Sequence, residues 1–119
     1  MDILIFSTTT DFKTFSKTLK KLNDDANCIH VTNTEQLLNE LLSGSISLVI
    51  VAVNGALGME IAFSVRNVST DIPLFWFSDD IHFGPQAYRL NCNYFSNKPI
   101  TEMIILTATQ KLNAKSYFQ

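Results

Sequence analysis

Cysteine, histidine, proline and glycine are all scarce in this 119-residue sequence, at two, two, three and four residues. Two cysteines cannot build a disulfide-stapled scaffold. Cys28 and His30 alternate on one short segment, so both can face one side, while Cys92 and His82 stand alone. A metal centre needs three or four ligands at suitable spacing. No metal is therefore expected, and the thiols read as reduced core groups. Charge is also sparse, at 17% of residues with a formal net charge of −2, which gives no footprint for nucleic acid. Lys13, Lys17, Lys20 and Lys21 fall mostly three to four apart and read as a solvated helix face. No apolar run approaches the roughly 18 residues of a membrane span. The N-terminal MDILIF lacks the basic region and cleavage signal of a secretory leader. A cytoplasmic location with no membrane partner is the expectation.

What is present is hydrophobic, at 46% of residues, and that is enough for one domain with a real core. Apolar ILIF (3–6) predicts a strand, and STTT then predicts a polar turn. From Asp11, a plausible N-cap, Phe12, Phe15, Leu19 and Leu22 recur at helical spacing as far as Asn23-Asp24-Asp25. ANCIHVT (26–32) predicts a second strand. Thr32 to Glu35 fits a capping box, followed by a helix face of Leu37, Leu38, Leu41 and Leu42 that Gly44 ends. SLVIVAV (47–53) is apolar almost throughout, as in a strand covered on both faces. Asn54-Gly55 then opens a loop that Gly58 closes, and a third helix covers 59–68. LFWFS (74–78) predicts a fourth buried strand, with Trp76 in the core, and residues 79–84 a polar loop. Pro85 suits a helix first turn. NYFSN (93–97) predicts a fifth strand, and a last helix starts at Thr101. Residues 1–113 form the expected domain. Residues 114–119, ending KSYFQ, are a frayed helix end or a linker stub.

Five alternating β-α units imply a three-layer, flavodoxin-like α/β domain with a parallel sheet and helices on both faces. In such sheets function sits at the carboxyl ends of the strands. That edge consists of Ser7-Thr8-Thr9, Ala52-Val53-Asn54, Ser78-Asp79-Asp80 and Asn97-Lys98-Pro99. The third strand carries no acid at its tip.

The ordered set DIPLFWFSDD…AYRLNCNYFSNKPI resembles the receiver domain of bacterial response regulators. The stretch AYRLNCNYFSNKPI looks most like the receivers attached to LytTR-type DNA-binding domains. NTEQLLNELLSGSISLVIV and GMEIAFSVRNVSTDIP fit their expected places. The resemblance implies strand order 2-1-3-4-5 and a role in two-component signal transduction or a phosphorelay, with links to transcription regulation. It also implies a site. Two acids after the first strand and an Asp on the third hold Mg²⁺, and that Asp accepts phosphate. Matched by position, the acidic pair falls on Ser7 and Thr8, and the phospho-acceptor on Ala52. Ser78 matches the hydroxyl that binds phosphoryl oxygens, Lys98-Pro99 the Lys-Pro pair, and Phe95 the aromatic switch position. The loop from 52 to 58 is about two residues short.

A methyl group cannot attack a phosphoryl donor, and hydroxyls are poor ligands for a hard cation. The sequence therefore reads as a degenerate pseudo-receiver acting by protein interaction, not as an enzyme, with no cofactor. Lys98 has lost its carboxylate partners, and it is expected to re-pair with Asp79 or Asp80 or to reach water. Residues 85–111, with Tyr88, Arg89, Glu102 and Lys111, form the face for a weak homodimer. Two other readings stay open. One is a small anionic ligand at the strand edge near Lys98. The hydroxyl-rich FSTTTDF also resembles a flavodoxin phosphate loop, but it lacks that loop's glycine. The other is a receiver that accepts phosphate on a substitute acid, the nearest being Asp11, Asp79, Asp80 and Glu60.

Overall fold

A computed structural model describes residues 1–113. The tail 114–119 lies outside the described residues. Five strands alternate with five helices: β1 (Asp2–Ser7), α1 (Thr9–Leu22), β2 (Asn27–Val31), α2 (Thr34–Ser43), β3 (Ile46–Ala52), α3 (Gly55–Val68), β4 (Leu74–Ser78), α4 (Gly84–Arg89), β5 (Tyr94–Asn97) and α5 (Glu102–Asn113). All pairings are parallel, in the order β2-β1-β3-β4-β5. This is the flavodoxin-like architecture read from the alternation. Among the described residues no helix is long and apolar enough to cross a membrane.

The period of two in each strand divides one apolar run between two cores. Ile3, Ile5, Leu48, Ile50, Phe75 and Phe77 face α1 and α5, where Phe15, Leu19, Ile105, Ala108 and Leu112 meet them. Leu4, Phe6, Val49, Val51, Leu74 and Trp76 face the other way, onto Leu37, Ile61, Ala62, Val65, Ala87 and Leu90. Each large apolar side chain fully buried here contributes about 1.5–3 kcal/mol of transfer free energy. The helix stripes are narrower than the sequence pattern implied. Leu22 and Leu42 remain 45% and 73% exposed, because each falls beyond the arc its helix lays on the sheet.

Several boundaries differ from the sequence expectation. The α1 N-cap is Thr8, whose side chain accepts from Asp11 N–H at 3.2 Å, so Asp11 lies inside the first turn. The capping box at the start of α2 is shifted by one residue. Asn33 Oδ1 accepts from Gln36 N–H at 2.8 Å, and Gln36 Oε1 accepts in return from Thr32 N–H at 3.0 Å. A glutamine side chain does here what Glu35 was expected to do. The stretch 79–84 is not simply a loop. It contains a single 3-10 turn, Ile81–Phe83, and then the start of α4 at Gly84, with Pro85 in its first turn.

The largest difference is at α3, which begins at Gly55 rather than 59. Only Val53 and Asn54 separate it from β3. Gly58 closes no loop. It is buried in the first turn of α3, so close to the chain leaving β3 that a Cβ there would lie 2.0 Å from the Val53 carbonyl oxygen. Gly55 meets a different requirement, a left-handed backbone with φ of +66°.

One side chain organises the opposite end of the α3/α4 layer. The Arg66 guanidinium donates to the carbonyls of Leu90 (2.6 Å), Ile72 (2.7 Å), Asn91 (3.1 Å) and Ser69 (3.3 Å). Helices end with orphan carbonyls, and Arg66 collects those of α4. Asn91 takes φ of 57°, while Cys92 N–H bonds Ala87 O and Asn91 N–H bonds Tyr88 O, both at 3.0 Å, which completes a Schellman ending. Cys92 lies beside this hub. Burial pushes its thiol up to about 11, against a smaller lowering by the Arg66 charge, so it behaves as a core group. Cys28 is likewise raised, chiefly by burial.

Candidate functional site

The strand tips converge because the strands are parallel and in register. Ser7 at the end of β1 lies directly across from Ala52 at the end of β3, and Ser78 across from Asn97. Between β1 and β3 the connections leave toward opposite faces, α1 to one and α3 to the other. A crevice opens where connections diverge in this way. Here it is a cavity of about 370 Å³ lined by Phe6, Ser7, Thr8, Thr9, Thr32, Ala52, Val53, Asn54 and Lys98. Three of the expected positions, Ser7, Thr8 and Ala52, thus meet in one cavity with Lys98.

Lys98 follows β5 directly, and its Nζ crosses to the third strand tip. It donates to the Ala52 carbonyl oxygen at 3.0 Å and pairs with Asp11 Oδ2 at 3.4 Å. The expected partners, Asp79 and Asp80, do not pair with it. Asp11 does, because the three-residue-earlier start of α1 puts this acid in the first turn, within reach of Lys98. Both side chains are mostly shielded, at 18% and 23% exposure. Pro99 follows across a cis peptide.

Asp79 and Asp80 have local duties. Asp79 Oδ1 accepts from Gly55 N–H at 2.9 Å and so caps α3 from another strand. The residue at the α3 N-cap, Asn54, makes no side-chain cap bond. Asp80 caps the 3-10 turn through His82 N–H at 2.9 Å and meets His82 Nδ1 at 2.8 Å. These bonds hold its carboxyl below the usual carboxylate range. Ser78 is fully buried. Its Oγ accepts from Asp80 N–H at 3.1 Å, and its carbonyl accepts from Lys98 N–H at 2.8 Å. The hydroxyl is thus engaged in holding its own turn.

Phe95 and Trp76 pack edge to face, centroids 5.1 Å apart, and Phe83 packs on the same indole at 5.5 Å. Phe95 fills space here and cannot hydrogen-bond. On β2, His30 stacks on Phe12 with centroids 4.5 Å apart and bonds the Ser7 carbonyl at 2.7 Å. Cys28 joins the same layer. Among the described residues no three His, Cys, Asp or Glu side chains are grouped to hold a metal ion. Of the exposed face, Tyr88 is 88% exposed, Arg89 and Lys111 are also exposed, and Glu102 is paired with Lys21 of α1 at 3.6 Å.

Sequence reasoning missed the Asp11–Lys98 pair, the Asp79 cap on α3 and the Arg66 hub. Each includes a contact between residues at least 24 positions apart, and only the first had a local sign, an acid in a helix first turn.

No family model matches the sequence, and no curated protein matches it. Solved structures do. A response regulator from Thermotoga maritima aligns with TM-score 0.77 at 16% identity, over 94% of this chain and 97% of its own. A two-component response regulator from Legionella pneumophila aligns at 0.76 and 17% identity, over 96% and 98%. A sensor protein from a Polaromonas species aligns at 0.75 and 19% identity, over 97% and 98%. At this identity the likeness shows the fold, and the fold of this chain is the one these three proteins have.

Proposed function

We propose that this chain is a degenerate receiver domain, a phosphorylation-independent protein-interaction module of two-component signalling. One observation carries the reading. At the three positions where receiver chemistry needs carboxylates there are Ser7, Thr8 and Ala52, and they line one cavity. The retained half of the site is turned inward: Ser78 holds its own turn, and Lys98 is satisfied by Asp11 and a backbone carbonyl. The substitute-acid reading lacks comparable support, since Asp11 pairs with Lys98 and Asp79 caps α3.

Incubation with acetyl phosphate and Mg²⁺ is expected to leave the intact mass unchanged. The same holds for Ala52→Asp, whose new carboxylate lacks a metal-binding pair and lies beside Lys98. A phosphoryl increment on the wild type would overturn the degenerate reading. An increment on the variant alone would show that the rest of the site is competent.

The interaction face is residues 85–111. Tyr88 and Met103 stand out of it at 88% and 71% exposure, flanked by Arg89, Glu102 and Lys111. Two-fold pairing of such a face is the commonest assembly. Sedimentation should show a weak homodimer at high micromolar concentration, weakened about tenfold by Tyr88→Ala, a loss of about 1.4 kcal/mol. Monomer alone at that concentration would sink this part of the proposal. In a regulator with a LytTR-type output domain, this pairing would set the regulator's dimerisation.

A further inference from the structure

We propose that the lysine face of α1 is a docking surface for the acidic α2/α3 face of a second copy of this chain, so that copies stack head to tail along the sheet normal. Lys13, Lys17 and Lys20 recur at i, i+4 and i+7, opposite the buried Phe15, Thr18 and Leu19, and all three are exposed. Lys21 flanks them and is paired with Glu102. Among the described residues the three make no ion pair. The only acid of α1, Asp11, is held by Lys98. A solvated helix face gains by alternating its charges, so that neighbours three and four apart attract. Here the neighbours are alike and repel, and an acidic partner relieves that repulsion.

The chain carries such a partner on its other side. α2 and α3 hold Glu35, Glu40 and Glu60, none of them in an ion pair among the described residues. The one cation of these two helices, Arg66, has its guanidinium on four carbonyls. Glu60 and Phe63 lie opposite the buried Gly58, Ile61, Ala62 and Val65 of α3, and Phe63 is 41% exposed. A ring beside an acid suits lysine twice over, because the aliphatic stem covers the ring and the ammonium meets the ring face or the carboxylate. The layers are also placed to meet. α1 and α2 pack on the same two strands, β1 and β2, from opposite sides of the sheet. A copy displaced along the sheet normal therefore brings its α1 against α2 and the neighbouring α3. The two faces differ, so the contact is heterologous and leaves one face of each kind free at the ends of a stack.

The test is sedimentation of the full chain carrying Tyr88→Ala, which weakens the pairing proposed for the 85–111 face, at high micromolar concentration. In about 0.01 M salt, where the Debye length is about 30 Å, the average mass is expected to rise with concentration past that of a dimer. In about 1 M salt, where that length is about 3 Å, it should fall to that of a monomer. Lys17→Glu and Glu60→Lys, each added to Tyr88→Ala, should weaken the association about tenfold, since each turns an attraction into a repulsion. Both positions are exposed, and neither side chain bonds another group among the described residues, so both variants stay folded. An equimolar mixture of the two should recover the association, because each variant supplies the face that complements the other's. Monomer at low salt, association that salt leaves unchanged, or a mixture as weak as its components each overturns the proposal. The homodimer of the 85–111 face is scored with Tyr88 in place and at high salt, so failure of one face is told apart from failure of the other.

Discussion

Gly58→Ala is expected to destabilise the chain by about 3 kcal/mol, at the upper end of what a misplaced methyl group costs. The new Cβ would lie 2.0 Å from Val53 O and 3.4 Å from Trp76 Nε1. The obstacle is backbone, not a side-chain tip that can rotate away, so the first turn of α3 must lift off β3. The two-residue connection of Val53 and Asn54 gives no slack to do so. Gly55→Ala is the comparison. Nothing lies within 4 Å of its Cβ, but φ of +66° is unfavourable for alanine, at about 1–2 kcal/mol. Urea unfolding followed by the fluorescence of Trp76, the single tryptophan, ranks the two. A Gly58→Ala cost no larger than that of Gly55→Ala would mean the α3 start is looser than its geometry.

The Arg66 hub is the second large effect. Arg66→Met keeps much of the aliphatic stem and removes the guanidinium. It leaves the carbonyls of Leu90, Ile72, Asn91 and Ser69 without their donor. Each bond to a charged group is worth about 1.5–3 kcal/mol, and they do not add. Some of these carbonyls regain water, so about 3 kcal/mol in total is expected. Arg66→Lys should recover less than half, because an ammonium cannot span four carbonyls set by a planar fork. The loss should be local in hydrogen exchange, with residues 84–92 opening first, because Arg66 ties the end of α4 to α3. Uniform loss of protection across the sheet would show that the hub supports the whole fold rather than α4.

Carboxylate chemistry at the strand tips was legible as a lack. Reading SLVIVAV as a both-faced strand places Ala52 at its end, and nothing in the tertiary structure can make a nucleophile of a methyl group. The same local logic gave five strands, five helices and a parallel sheet, because periodicity of two and of about 3.6 is a property of consecutive residues, while the strand order came from the resemblance to receivers. Helix starts were less legible. Thr8 and Asp11 are both good caps by type, as are Thr32 and Asn33, and the choice between them depends on where the strand before releases the chain. The two-residue β3–α3 passage was not legible, since Asn54-Gly55 and Gly58 read in sequence as the ends of a loop before a helix at 59. Nor was its consequence, a glycine pressed on the Val53 carbonyl.

The amino-acid sequence by itself determined the architecture of this chain and the absence of acids at Ser7, Thr8 and Ala52, because both follow from residue type and spacing. Only the tertiary structure decided what replaces the missing contacts. Lys98 finds Asp11 rather than Asp79, Asp79 caps a helix it does not belong to, and Arg66 gathers carbonyls from the end of α4 and from the α3–β4 connection. Each of these joins groups from separate elements. A short-range polar contact depends on distances of a few tenths of an ångström, and those are set by how the layers pack, not by the order of residues along the chain.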